Sequence, residues 1–129
     1  MKLLVVKKYY KIVIWTIIIA YLCFSPASSY KSVNINIPHL DKAVHFVMFF
    51  IAGYLLGNLR EYNLKNKNIW AFIIFYSIYA AFTEYIQYTY ISSRSGSIFD
   101  FIFDVLGLFV GFYSYKLTPN VIRRVLTKV

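Results

Sequence analysis

The chain has 129 residues, of which 60% are hydrophobic, 21% aromatic and only 15% charged, and its formal net charge is +9. This length holds one domain at most, and a soluble domain of this size cannot hide so much apolar surface. A nucleic-acid-binding face is excluded too, because Lys and Arg fall between and outside long apolar blocks instead of clustering on one soluble surface.

The first block, residues 9–25, follows Lys7 and Lys8 and ends in Ser25-Pro26-Ala27-Ser28-Ser29, the layout of a signal peptide. No clean A-x-A triplet appears and three more apolar blocks follow, so it reads as an uncleaved first helix. Cys23 is the only cysteine, which rules out an internal disulfide. Leu22 before it is a poor fit to a lipoprotein site. Residues 25–38 read as a polar outer loop, in which Val33-Asn34-Ile35-Asn36-Ile37 alternates as a short strand or an interfacial segment would.

Three further blocks cover residues 40–59, 69–91 and 98–117. A spanning helix needs roughly 17–25 residues, so the third and fourth blocks qualify outright and the second qualifies from Leu40. The expectation is an all-α integral membrane protein, a four-helix bundle with short loops forming one domain over residues 1–129. Orientation follows from basic residues in the flanks. The N-terminus, the 60–68 loop and the C-terminus carry eleven Lys and Arg, against three at Lys31, Lys42 and Arg94. Both termini are therefore expected on the cytoplasmic side of the inner (cytoplasmic) membrane.

Of five acidic residues, only Glu61 lies in the basic loop. Asp41, Glu84, Asp100 and Asp104 all fall near the outer ends of helices, at a depth shared by Lys42, His45, Gln87 and Arg94. Asp41 and His45 are i, i+4 on the second helix, and Glu84 and Gln87 are i, i+3 on the third. On the fourth, Asp100, Asp104, Gly107 and Gly111 fall within about 60° at 100° per residue. Gly107 and Gly111 form a G-x-x-x-G pair that admits a close neighbour; Gly53 and Gly57 form a second pair, rotated away from the Asp41–His45 face. A charged residue at a helix centre costs roughly 2.5–3.5 kcal/mol, so these groups are expected to face one another, with Lys42, Arg94 and His45 as the available cations.

Structural roles stand beside functional ones. Asp41 fits a helix N-cap after Pro38, His45 a satisfied interior histidine, and Asp100 and Asp104 with Arg94 an ion-pair latch. The Tyr and Phe excess is expected to be mostly lipid-facing and interfacial. No nucleophile–base pair, phosphate-cradling glycine loop or zinc-ligand spacing is present, although the carboxylates offer hard oxygen ligands to a divalent cation.

The ordered set Asp41-Lys42-x-x-His45-Phe46, Glu84-x-x-Gln87 and Arg94-x5-Asp100-x3-Asp104-x2-Gly107-x3-Gly111 resembles the VanZ-like membrane proteins. The resemblance covers Asp41 to Gly111, and the first helix matches in character. It departs at Asp104, where that family usually has Asn. The family is named for a glycopeptide-resistance protein that favours teicoplanin resistance. The resemblance therefore implies a cell-envelope context, with membrane lipids as partners. The expected function is an outward-facing polar pocket that binds an envelope lipid, a glycan precursor or an amphiphilic antibiotic. The alternative is an integral membrane enzyme acting on an envelope lipid or precursor by carboxylate or His acid–base chemistry. Neither a cofactor nor the oligomeric state is legible in the sequence.

Overall fold

The computed structural model of the chain describes residues 2–25, 40–62, 65–90 and 97–128. Within them are five helices: α1 (Lys2–Phe24), α2 (Leu40–Leu59), α3 (Asn66–Tyr90), α4 (Ile98–Leu117) and α5 (Asn120–Lys128). A 3-10 turn at Arg60–Tyr62 extends α2. The expected bounds of α2 and α4 match. α1 begins at Lys2 rather than residue 9, and α3 at Asn66 rather than 69, because polar residues that would end an apolar count still continue a helix.

The fifth helix was not among the four expected. Its nine residues, Asn-Val-Ile-Arg-Arg-Val-Leu-Thr-Lys, are too short and too basic to register as an apolar block. The signal for it is Thr118-Pro119, which ends α4, followed by apolar residues at 121, 122, 125 and 126 in helical phase. The Arg123 amide donates to the Pro119 carbonyl, which closes the first turn. Arg123 also meets Glu61 at 3.3 Å, tying α5 to the turn after α2.

α2, α3 and α4 are each long and apolar enough to cross a bilayer, while the apolar part of α1, Tyr9–Phe24, is shorter. Their outward faces carry large apolar side chains, among them Ile17 on α1, Ile78 on α3 and Ile102 on α4, all exposed. In water such faces would be a liability; against acyl chains they are the solvent-matched surface.

α2 and α4 make the most extensive contact of any pair. They run parallel, because contacts keep a nearly constant offset along both: Lys42 with Asp100, His45 with Asp104, and Asn58 with Tyr115. α3 provides the return crossing that a parallel pair requires. Four glycines permit the close approach. A Cβ on Gly107 would strike the Phe46 carbonyl, one on Gly111 the Phe50 carbonyl, one on Gly53 the Leu108 carbonyl, and one on Gly57 the Tyr115 side chain. Gly53 and Gly57 are rotated from His45, and that rotation sets the glycine stripe on α4 with His45 at its flank.

α1 packs through Ile12, Ile19 and Cys23 and is pinned by polar atoms. Trp15 donates its indole N–H to the Met48 carbonyl at 2.9 Å, and Thr16 shares a hydrogen bond with Tyr76. Tyr76 and Tyr115 are fully buried and Phe49 packs in the centre of the core, whereas Tyr85, Tyr88 and Tyr90 are exposed. The aromatic excess thus serves both lipid-facing surface and core. Buried tyrosines are accommodated because each hydroxyl has a partner: Thr16 for Tyr76, Asn58 for Tyr115.

Candidate functional site

The chemistry gathers where α2, α3 and the start of α4 meet. His45, one turn into α2, is fully buried. Its Nδ1 lies 3.0 Å from Asp104 Oδ1 on α4 and 3.4 Å from Glu84 Oε1 on α3. One imidazole nitrogen therefore joins three helices. Asp104 is 0% exposed and Glu84 7%, so two carboxylates and an imidazole share a space from which bulk water is excluded.

Lys42 and Asp100 form a second rung one turn towards the helix starts. Lys42 Nζ sits 3.0 Å from Asp100 Oδ1, with the lysine partly exposed and the aspartate buried. The two rungs match because Lys42 to His45 is three residues, Asp100 to Asp104 is four, and the helices are parallel. Among the described residues, Lys42 is the cation that engages Asp100.

Glu84 has a further task that sequence reasoning missed. Its Oε2 accepts the backbone N–H of Ser97 at 3.0 Å. Ser97 is the N-cap of α4, and its hydroxyl accepts from the Phe99 amide. Ser97-x-x-Asp100 before an apolar run is the readable signal of the cap, but the carboxylate that accepts the Ser97 amide is Glu84, while Asp100 pairs with Lys42. Glu84 thus fixes the start of α4 from α3, and one carboxylate serves both the cluster and the cap.

The other expected site residues go elsewhere. Gln87 is buried, but its amide donates at 2.9 Å to the Cys23 carbonyl in the last turn of α1, where a helix leaves carbonyls without internal partners. Asp41 is exposed in the first turn of α2; it lies inside the helix instead of capping it and favours the positive end of the helix dipole. Arg94 lies outside the described residues, as does the alternating segment 33–37.

Two grooves flank the first turns of α4. One, about 610 Å³, runs between α3 and α4, with Tyr85, Tyr88 and Phe101 as walls and Glu84 and Ser97 as its polar points. The other, about 770 Å³, runs between α2 and α4, lined by Phe46, Val47, Phe99 and Phe103 with Lys42 at its rim. Each is an apolar channel with a charge at one place.

Helices with apolar exteriors, charged side chains drawn together at one end and grooves opening between them define a polytopic membrane protein. More narrowly, the chain belongs to the VanZ/LLP1 family, whose family model matches residues 5–119. No curated protein and no solved structure matched the chain.

Proposed function

We propose that this protein binds an amphiphile of the cell envelope (an envelope lipid, a glycan precursor or an amphiphilic antibiotic) at the outer end of the bundle. The observation that carries this reading is the pair of apolar grooves beside α4, each with a charged residue at its polar point. Acyl chains suit the Phe- and Val-lined walls, and an anionic headgroup suits Lys42, whose ammonium is partly exposed while it holds Asp100. Glycopeptide resistance belongs to the family and supports an envelope ligand for this member. The reading is a binder's because the buried carboxylates already hold a cap and an imidazole. Native mass spectrometry of the protein released from membranes should show co-purifying anionic amphiphile. Lys42→Met should reduce that occupancy several-fold while leaving the helical content intact. Unchanged occupancy in Lys42→Met would reject the α2–α4 groove as the headgroup site.

The same reading places the protein in the cytoplasmic membrane with both termini inside. In a Cys23→Ser background, single cysteines at Ser29 and Ser95 should react with an impermeant thiol reagent in intact cells, and one at Asn66 should not. Labelling at position 66 alone would invert the topology and put the cluster on the cytoplasmic side.

A further inference from the structure

His45, Glu84 and Asp104 are more than neighbours in charge. One donor atom from each lies within 4.8 Å of the other two, and all three residues are buried. The edges from Nδ1 to the two carboxylate oxygens are 3.0 and 3.4 Å. An ion held tetrahedrally at ~2.0–2.2 Å by imidazole and carboxylate donors sets edges of about 3.3–3.6 Å. The two edges at Nδ1 are therefore within a few tenths of an ångström of ligand spacing, and the edge between the two carboxylate oxygens is no longer than 4.8 Å.

A hydrogen-bonded imidazolium also fits those edges, so charge must decide. Nδ1 carries at most one hydrogen, which can point to one carboxylate. In the structure Asp104 takes that bond, while Glu84 Oε1, Asp104 Oδ2 and His45 Nε2 are buried with no hydrogen-bond partner among the described residues. A single proton would leave one net negative charge among helices read as spanning a membrane, which is costly. Among the described residues, Lys42 on the next rung does not supply the missing charge, since it is engaged by Asp100. A divalent cation accepts one lone pair from each donor at once and balances both carboxylates with the imidazole neutral.

We propose that His45 Nδ1, Glu84 Oε1 and Asp104 Oδ1 form a site for one first-row divalent cation of the Zn2+ type. One imidazole with two carboxylates suits such an ion better than Mg2+ or Ca2+, which favour all-oxygen shells. The Ser97 amide on Oε2 leaves Oε1 as the ligating oxygen of Glu84 and fixes its direction, the orienting contact that metal ligands commonly have. Glu84 also lines the α3–α4 groove, which gives the ion an entry path and leaves a fourth position for water or a ligand oxygen. The site does not depend on amphiphile binding: ion uptake and lipid occupancy are separate measurements, and either can fail alone.

The test uses the full chain, purified in detergent through a tag without histidine, stripped with chelator and then titrated with Zn2+ against a chromophoric chelator. Wild type should hold one Zn2+ per chain by elemental analysis. Glu84→Gln and Asp104→Asn, which keep shape and remove charge, should each weaken binding tenfold or more. Co2+ in place of Zn2+ should give the intense visible bands of a tetrahedral ion. The Co2+ spectrum of folded wild type decides the matter even where a variant fails to fold. No Zn2+ above buffer level, faint octahedral Co2+ bands, or unchanged affinity in both folded variants would each overturn the assignment.

Discussion

Along the α2–α4 seam, the end at Lys42 and Asp100 is joined by charge, and the end at Gly57 and Tyr115 by shape. At the first, the Lys42–Asp100 ion pair and the His45–Asp104 hydrogen bond, each at 3.0 Å, hold the helices through side chains. At the second, glycines let the backbones touch, and the polar contacts are neutral: Tyr54 with Thr118 at 2.8 Å and Asn58 with Tyr115 at 3.0 Å. The difference teaches where each half is vulnerable. A charge seam fails when one partner goes, because the other is left buried and unpaired. A shape seam fails when volume is added, because the opposing atom is a buried ring at Gly57 and main chain at Gly53 and Gly111.

The largest effect is expected at the charged end. His45→Ala removes the group that faces both Glu84 and Asp104, and breaking a buried pair in this way costs about 3–5 kcal/mol. Thermal unfolding in detergent should show the loss, with the variant's helices intact at low temperature. Replacing the whole cluster should behave differently. His45→Leu with Asp104→Leu and Glu84→Gln removes the buried charges while keeping an acceptor for the Ser97 amide. Its stability should return to near wild type, because an apolar set of similar volume can match a buried ion pair. A triple variant as unstable as His45→Ala would mean that the charged end is held by packing after all.

Much of this contrast was legible in the sequence, and the gaps have physical causes. Helical phase put Asp100, Asp104, Gly107 and Gly111 on one stripe of α4, and the structure has all four buried there, facing α2. The scarcity of acidic residues drew attention to Glu84, which does meet His45. Phase along one helix does not say which neighbour lies opposite, however. Gln87 shares the Glu84 side of α3 yet turns to α1, and Asp41 shares the face of His45 yet stays exposed, because one turn is enough to leave the bundle at a helix end. The cations for the aspartates were expected among Lys42, Arg94 and His45; sequence distance favours none, and the parallel packing of α2 brings Lys42 to Asp100, while Arg94 lies outside the described residues. The Glu84–Ser97 bond needed a contact across a loop, which no periodicity encodes. α5 was missed because a search for apolar blocks passes over a short helix with basic residues.

The smaller effect is expected at the glycine end, and its character sharpens the comparison more than its size. A Cβ on Gly111 meets the Phe50 carbonyl and Cα, both main-chain atoms. Gly111→Ala should therefore already lower the unfolding temperature, and Gly111→Leu should cost towards the ~3 kcal/mol upper range of overpacking. Trimming the opposing side chain should not help. In a Phe50→Ala background the carbonyl stands where it did, so the Gly111→Leu loss should persist and add to the loss from Phe50→Ala itself. At the charged end a second change rescues the first; at the glycine end it should not, because no side-chain substitution moves a backbone oxygen. Rescue of Gly111→Leu by Phe50→Ala would show that the helices meet there through side chains, and the division of the seam into charge and shape would fail.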